Sequence, residues 1–258
     1  MQGLSAARRV VTIDAGPVDV RELKRLLANG ARPDNEQFDG DGYLNDVILK
    51  PWGCEYRAYA DDFFDLWVLR INAPHGTSMH VHPRKLTYLL CLGGKGIIGT
   101  FSGTVAVEEG TVLRIAPGVF HSTRNIGDEP LELIEVETPR NKFDLIRYSD
   151  DYNRAGTVYE STSHACGQPM LRVPYLPQAK MRQATPDGRF RFEIRAGMDV
   201  YYRRRAADVF YIPICVSGAV HSHVEILTGH PEDARRPDID QFYLCVTRTQ
   251  CEREDRQP

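Results

Sequence analysis

Between Val18 and Gly30 the apolar residues Val20, Leu23, Leu26 and Leu27 recur at helical spacing, and Gly30 follows as a stop. That spacing predicts one short helix, followed by the polar loop "ARPDNEQFDGDGY". From Trp52 onward the pattern shortens. The runs "FDLWVLRINA", "LTYLLCLGGKGIIGTF", "TVAVEEG", "TVLRIAPG", "HSTRNIG" and "LELIEVETP" are β-rich and broken by Gly, Pro, Asn and Asp. Many short strands with such turns predict an antiparallel sandwich or barrel. Near Asp150 the period is lost, and a linker or long arm is expected. A second β-rich block follows in "GRFRFEIRAG", "DVYYRRRAADVFYIPICVSGAVHSHVEIL" and "QFYLCVTRT". Its continuous apolar runs suit strands buried on both faces. The expected organisation is mainly β: an N-terminal helical arm over 1–44, a barrel over 45–155, and a linker with a C-terminal β extension over 156–258. The extension is expected to pack on the barrel or on a dimer mate.

Composition narrows the function classes. The chain has 258 residues, 42% hydrophobic and 26% charged, which suits a globular core. A net charge of −3 gives no reason to expect nucleic acid or an anionic membrane as partner. Apolar runs reach about ten residues, too short to cross a bilayer. "MQGLSAARRVVTIDAG" lacks the apolar stretch of a secretory signal. Six cysteines are scattered without a CxxC pair, so reduced thiols and a cytoplasmic location are expected.

The chemistry concentrates in "HGTSMHVHPRKLTYLLCLGGKG" and "GTVLRIAPGVFHSTRN". Residues two apart on a strand share a face, so His80 and His82 project together. His121 follows a Pro-Gly turn and begins another strand, from which it could face them across a barrel. Three neutral imidazoles with open positions suit one divalent metal such as Zn, Fe, Mn or Ni.

Gly76, His80, His82 and Gly93 resemble the first cupin motif, and Gly110, Pro117, Gly118, His121 and Asn125 resemble the second. The resemblance implies a cupin double-stranded β-helix with His80, His82 and His121 as metal ligands. "KPWGCEY" is similar to the "RPWG" opening of the mannose-6-phosphate isomerase cupins of bacterial polysaccharide synthesis. "PLELIEVETPRNKFDLIRYSDDYNR" is similar to their exit, "PLEVIEVQ" leading to "DIVRFEDDYGR". Together these cover roughly residues 50–155. Cupins usually carry a ligating Glu four or five residues after the second His, and Thr87 stands there. A neutral hydroxyl is a poor ligand beside a carboxylate, so the site loses one negative charge at that position.

An aldose–ketose isomerase needs a base to move a proton between adjacent carbons. Glu135 is the candidate; Glu137 shares its face, and Glu132 points the other way. Lys85, Arg84 and Arg124 flank the histidines and could hold a phosphate or carboxylate, with Lys85 and Arg124 as catalytic candidates. Cys91 is expected to line the cavity beside Thr87 and Leu89. "HSHVE" (221–225) reads as a solvent-facing strand rather than a second metal site, and "YYRRRAAD" as a solvated basic turn. The expected function is a metal-dependent enzyme acting on a sugar phosphate or nucleotide sugar, isomerase- or epimerase-like. The alternatives are a three-His non-haem iron dioxygenase and a non-catalytic sugar-binding cupin. The expected partner is a small anionic sugar substrate, and a homodimer is the expected assembly.

Overall fold

A computed structural model describes residues 10–34, 42–60, 65–154, 159–166, 183–184, 190–203, 205–206, 209–214, 227–229, 233–239 and 242–248. The chain divides into two compact units, Met1–Ala58 with Phe63–Arg172, and Tyr59–Asp62 with Val173–Pro258. No helix among the described residues is long and apolar enough to cross a membrane.

The first unit is the mainly β double-stranded helix that the motifs imply. Its elements in chain order are β1 (Val10–Ile13), α1 (Pro17–Ala28), β2 (Val47–Lys50), β3 (Gly53–Ala60), β4 (Asp65–Ile71) and β5 (Met79–Val81). There follow β6 (Leu86–Gly93), β7 (Lys95–Thr100), β8 (Gly103–Glu108), β9 (Val112–Ile115), β10 (Phe120–Asn125), β11 (Leu131–Thr138), β12 (Ile146–Ser149) and β13 (Ala165–Cys166). They form an eight-stranded sheet ordered β1-β9-β6-β11-β4-β3-β2-β13 and a five-stranded sheet ordered β12-β5-β10-β7-β8. The larger sheet reaches beyond 45–155 at both ends. β1 pairs in parallel with β9, and β13 pairs with β2. Each added strand covers a row of backbone donors and acceptors that an open edge would leave exposed.

Inward positions of both sheets form one apolar core that includes Trp67, Leu89, Leu113 and Leu133. The alternation along β11 holds, with Glu135 and Glu137 buried and Glu132 turned outward to Arg70. Helix α1 packs Leu23, Leu26 and Leu27 against Val81, Phe120 and Ile146. Val20, expected on that stripe, is exposed, and Asp19 is buried instead. The reason is hydrogen bonding. Asp19 accepts the Gly16 N–H at 2.8 Å, capping the helix, and the Phe120 N–H at 2.9 Å. A carboxylate that satisfies two main-chain donors takes the inward position from a valine.

The second unit holds a five-stranded sheet ordered β14 (Gln183–Ala184), β15 (Phe190–Ala196), β18 (Phe242–Arg248), β16 (Val209–Ile214) and β17 (Leu227–Thr228). One segment read as β-rich is helical: α2 spans Gly197–Tyr202. It buries Val200 beside Val209, Tyr211 and Tyr243, while Tyr202 faces solvent. A single turn of helix places one apolar residue inward, a pattern too short to distinguish from strand alternation. "HSHVE" and part of "YYRRRAAD" lie outside the described residues.

The turn from β2 into β3 depends on Gly53. Its φ is +144°, and a Cβ there would stand 2.1 Å from the Arg70 carbonyl oxygen. Gly53→Ala is expected to cost about 1–3 kcal/mol, from the left-handed backbone and the contact with main chain together. The check is the denaturant midpoint at unchanged slope.

Candidate metal centre

The register of the smaller sheet brings the histidines together. His121 lies directly across from His80 in the β10–β5 ladder, so both project from the same face. His82 follows β5 and joins them by the period of two. The ring centroids lie 4.5 Å (His80–His121), 4.9 Å (His80–His82) and 5.4 Å (His82–His121) apart. All three side chains are buried.

Each ring is oriented by its Nδ1. That of His80 bonds the Ser78 carbonyl oxygen at 2.8 Å, that of His82 the Asp144 oxygen at 2.7 Å, and that of His121 the Val119 oxygen at 3.1 Å. A carbonyl only accepts, so Nδ1 carries the hydrogen in each ring and Nε2 carries the lone pair. The Nε2 atoms of His82 and His121 are buried without a hydrogen-bond partner among the described residues. The ligand atoms of the three residues lie within 4.8 Å of one another. Burial holds His80 and His82 well below the usual imidazole range and brings His121 to about 4. All three are therefore neutral near pH 7, the form that ligates. This donor set fits a divalent metal: neutral rings, fixed tautomers, ligand atoms within 4.8 Å of one another, and two Nε2 atoms left without a hydrogen-bond partner among the described residues.

Around the histidines lies a buried ionic network. Lys142 Nζ stands 2.9 Å from Glu135 and 3.7 Å from both Glu55 and Glu137. Lys50 pairs with Glu160 and lies 3.1 Å from Glu55. Arg147 and Arg154 reach Glu160 at 2.9 and 2.6 Å. Lys85 Nζ is 2.6 Å from Glu137, both fully buried. Burial of charge is costly even when paired, so a network this dense weakens the case for a purely structural interior. Burial raises Glu135 and the Lys142 ammonium offsets only part of that, leaving it at about 7. Glu55 is driven the other way. Burial alone would raise it, but Lys142, Lys50 and the Tyr159 hydroxyl bring it to about 2.

The sequence candidates fall in different places. Glu135 lines the cavity together with the three histidines, Leu89 and Lys142. Lys85 is buried on Glu137. Arg124 is not brought to the histidines; it lies exposed on the outer face of β10, paired with Asp151 at 2.6 Å. Arg84 sits at the rim, where its Nε bonds Asp144 at 2.6 Å and so ties down the residue whose carbonyl orients His82. Cys91, expected at the cavity, belongs to the apolar core, and burial pushes its thiol up to about 12. Glu55, Lys142, Arg147, Tyr159 and Glu160 also line the cavity and were not singled out from sequence. The only signal for them is a charged residue at an inward position of an otherwise apolar strand or loop.

Residues 67–137 match the profile of the cupin domain. The matched segment holds His80, His82 and His121 and both carboxylates of β11. Mannose-1-phosphate guanylyltransferase of Escherichia coli (strain K12) is 23% identical to the chain over 141 residues, which are 52% of this chain and 28% of that protein. The xanthan biosynthesis protein XanB of Xanthomonas campestris pv. campestris (strain B100) is 24% identical over 109 residues, 42% of this chain and 23% of that one. The chain thus spans less than a third of the length of these relatives. Among solved structures, the oxalate decarboxylase formate complex of Lactobacillus farciminis aligns at a TM-score of 0.36 and 22% identity. That alignment covers 40% of this chain and 33% of the other.

The low value at Glu55 sets an acid limit for the cupin domain. A carboxylate depressed in the folded state contributes stability above its unfolded value, near 4.5, that is lost as pH falls toward about 2. Unfolding free energy of metal-free protein is expected to fall over that interval. In Glu55→Gln the fall should be shallower, as read by denaturant titrations at stepped pH.

Proposed function

We propose that this cupin domain binds one divalent metal through His80, His82 and His121 and catalyses a proton-transfer isomerisation of an anionic sugar. The observation that carries the reading is the meeting of three buried imidazoles, each oriented through its Nδ1, with a carboxylate beside His82. Glu135 belongs to the group of His82, Glu135 and Glu137 whose ligand atoms lie within 4.8 Å of one another. Similarity to a mannose-1-phosphate guanylyltransferase and to a xanthan biosynthesis protein supports a sugar substrate.

A bound metal supplies Lewis-acid polarisation of the substrate carbonyl. Glu135 takes a proton from the hydroxyl-bearing carbon beside that carbonyl and returns it to the former carbonyl carbon, while the hydroxyl proton passes to the former carbonyl oxygen. Lys142, at 2.9 Å, fixes the carboxylate's orientation through both events. The cavity encloses about 60 Å³, enough for the reacting end of a ligand and a few waters. Lys50 and Arg147 on its wall supply positive charge toward an anionic substrate.

The test is anaerobic. Protein reconstituted with Zn, Mn, Fe or Ni is incubated with hexose phosphates in deuterium oxide, and deuterium entry beside the carbonyl is followed by NMR. Glu135→Gln is expected to lower that exchange about 10²–10⁴-fold while keeping its metal. His82→Ala should lose metal and the thermal stabilisation that comes with it. Oxygen consumption by the iron form in a parallel aerobic incubation, with no such exchange in the anaerobic one, would replace this reading with a dioxygenase.

A further inference from the structure

We infer that Lys50, Arg147 and Arg154 form the subsite for a phosphate group of the substrate, and that the Glu160 carboxylate occupies this subsite until phosphate displaces it. The inference rests on the anionic-sugar reading and names the anion and the side chains that meet it.

Three cations from separate parts of the chain converge on one carboxylate. Lys50 ends β2, Arg147 lies on β12, and Arg154 follows β12. Arg147 Nη2 stands 2.9 Å and Arg154 Nη1 2.6 Å from Glu160 Oε1, and Lys50 Nζ donates to Oε2. The side chains of Lys50, Arg147 and Glu160 are 4%, 4% and 3% exposed. All four residues line the cavity. Two carboxylate oxygens thus serve three cationic donors. A phosphate monoester offers the same donors three terminal oxygens and up to two negative charges. Burial alone would raise Glu160, but Lys50 and Arg147 hold it below the usual carboxylate range, so the occupant is itself an anion near pH 7.

Register sets the subsite beside the histidines. Arg147 lies directly across from His80 in the β12–β5 ladder, so the two side chains leave the sheet on one face as nearest neighbours. A ligand whose phosphate meets Arg147 thus has its remaining atoms next to the histidine cluster.

Two of the cations keep other anchors when Glu160 leaves. Lys50 retains Glu55 at 3.1 Å and the Tyr159 ring, whose centroid is 4.0 Å from Nζ. Arg154 retains Asp150 at 2.8 and 3.1 Å. The main chain of Glu160 is held as well, its carbonyl accepting from the Tyr43 hydroxyl at 3.0 Å. Displacement is therefore a rotation of one side chain. It also makes room. A cavity of about 60 Å³ takes the reacting end of a ligand and a few waters, and the phosphate takes the volume that the carboxylate vacates.

Calorimetric titration of full-length protein with inorganic phosphate and with a hexose phosphate, at constant ionic strength, tests the subsite. Each titration is run before and after chelator treatment, which separates the subsite from phosphate held by a metal. Glu160→Gln removes the competing charge. With the subsite open in fewer than about a tenth of molecules, apparent affinity for both probes rises more than about tenfold in this variant. A carboxylate that only holds the three cations in place predicts the reverse. Lys50→Met and Arg147→Met, each in an otherwise wild-type chain, are expected to lower affinity more than about tenfold. They decide the matter if Glu160→Gln does not fold, and wild-type affinity in both overturns the inference. Unchanged or weaker binding in folded Glu160→Gln overturns it too. Deuterium exchange in a wild type whose phosphate affinity none of these variants alters overturns the subsite and leaves the isomerase reading standing. Affinities in the expected order without exchange support the subsite and overturn the isomerase reading alone.

Discussion

Each of the three buried imidazoles donates its Nδ1 hydrogen to a main-chain carbonyl, those of Ser78, Asp144 and Val119. Everything else in the barrel interior depends on those bonds. They fix the tautomers, turn the Nε2 lone pairs inward and prevent the rings from satisfying one another. The carbonyls belong to short loops and strand ends, and two of them lie two residues before their histidine. The third comes from Asp144, which Arg84 holds through both its main chain and its guanidinium. The site is therefore oriented by backbone, which cannot drift as a side chain can.

Charge is the second constraint. Lys85, Lys142, Glu55, Glu135 and Glu137 are removed from water together. An apolar filling of the same volume would often be as stable or more so. Such a cluster is most useful where charge must be held ready beside a reacting centre. Two of its members also share one strand face yet meet different neighbours. Glu135 and Glu137 differ by two positions and by what each touches, a lysine at the cavity wall for one and a histidine nitrogen for the other.

Most of the barrel was legible in the sequence. Alternation in "LELIEVE", the glycine-punctuated short runs and the HxH spacing are local patterns, and local patterns survive in a single chain. The three histidines were legible for the same reason. Arg124 was misleading because its proximity to His121 along the chain says nothing about face; three positions on a strand reverse the direction of a side chain. Lys142, Tyr159 and Glu160 were silent because loops carry no period, and their approach to the cavity is set by tertiary packing. The partnership of Thr87 and Glu137 was unreadable without a register, fifty residues apart in sequence and opposite one another in the sheet.

The buried carboxylate of Asp19 has a further consequence. It holds the first turn of α1 and the amide of Phe120 at once, and Phe120 immediately precedes His121. The N-terminal helix and the strand bearing His121 are thus a single mechanical piece. By thermodynamic reciprocity, whatever steadies that ring opposes the local opening of the helix, and whatever loosens the helix would weaken the hold on an ion bound as proposed. Amide protection along residues 20–28 would then be a remote gauge of occupancy in the proposed site, legible from a part of the chain outside the histidine cluster.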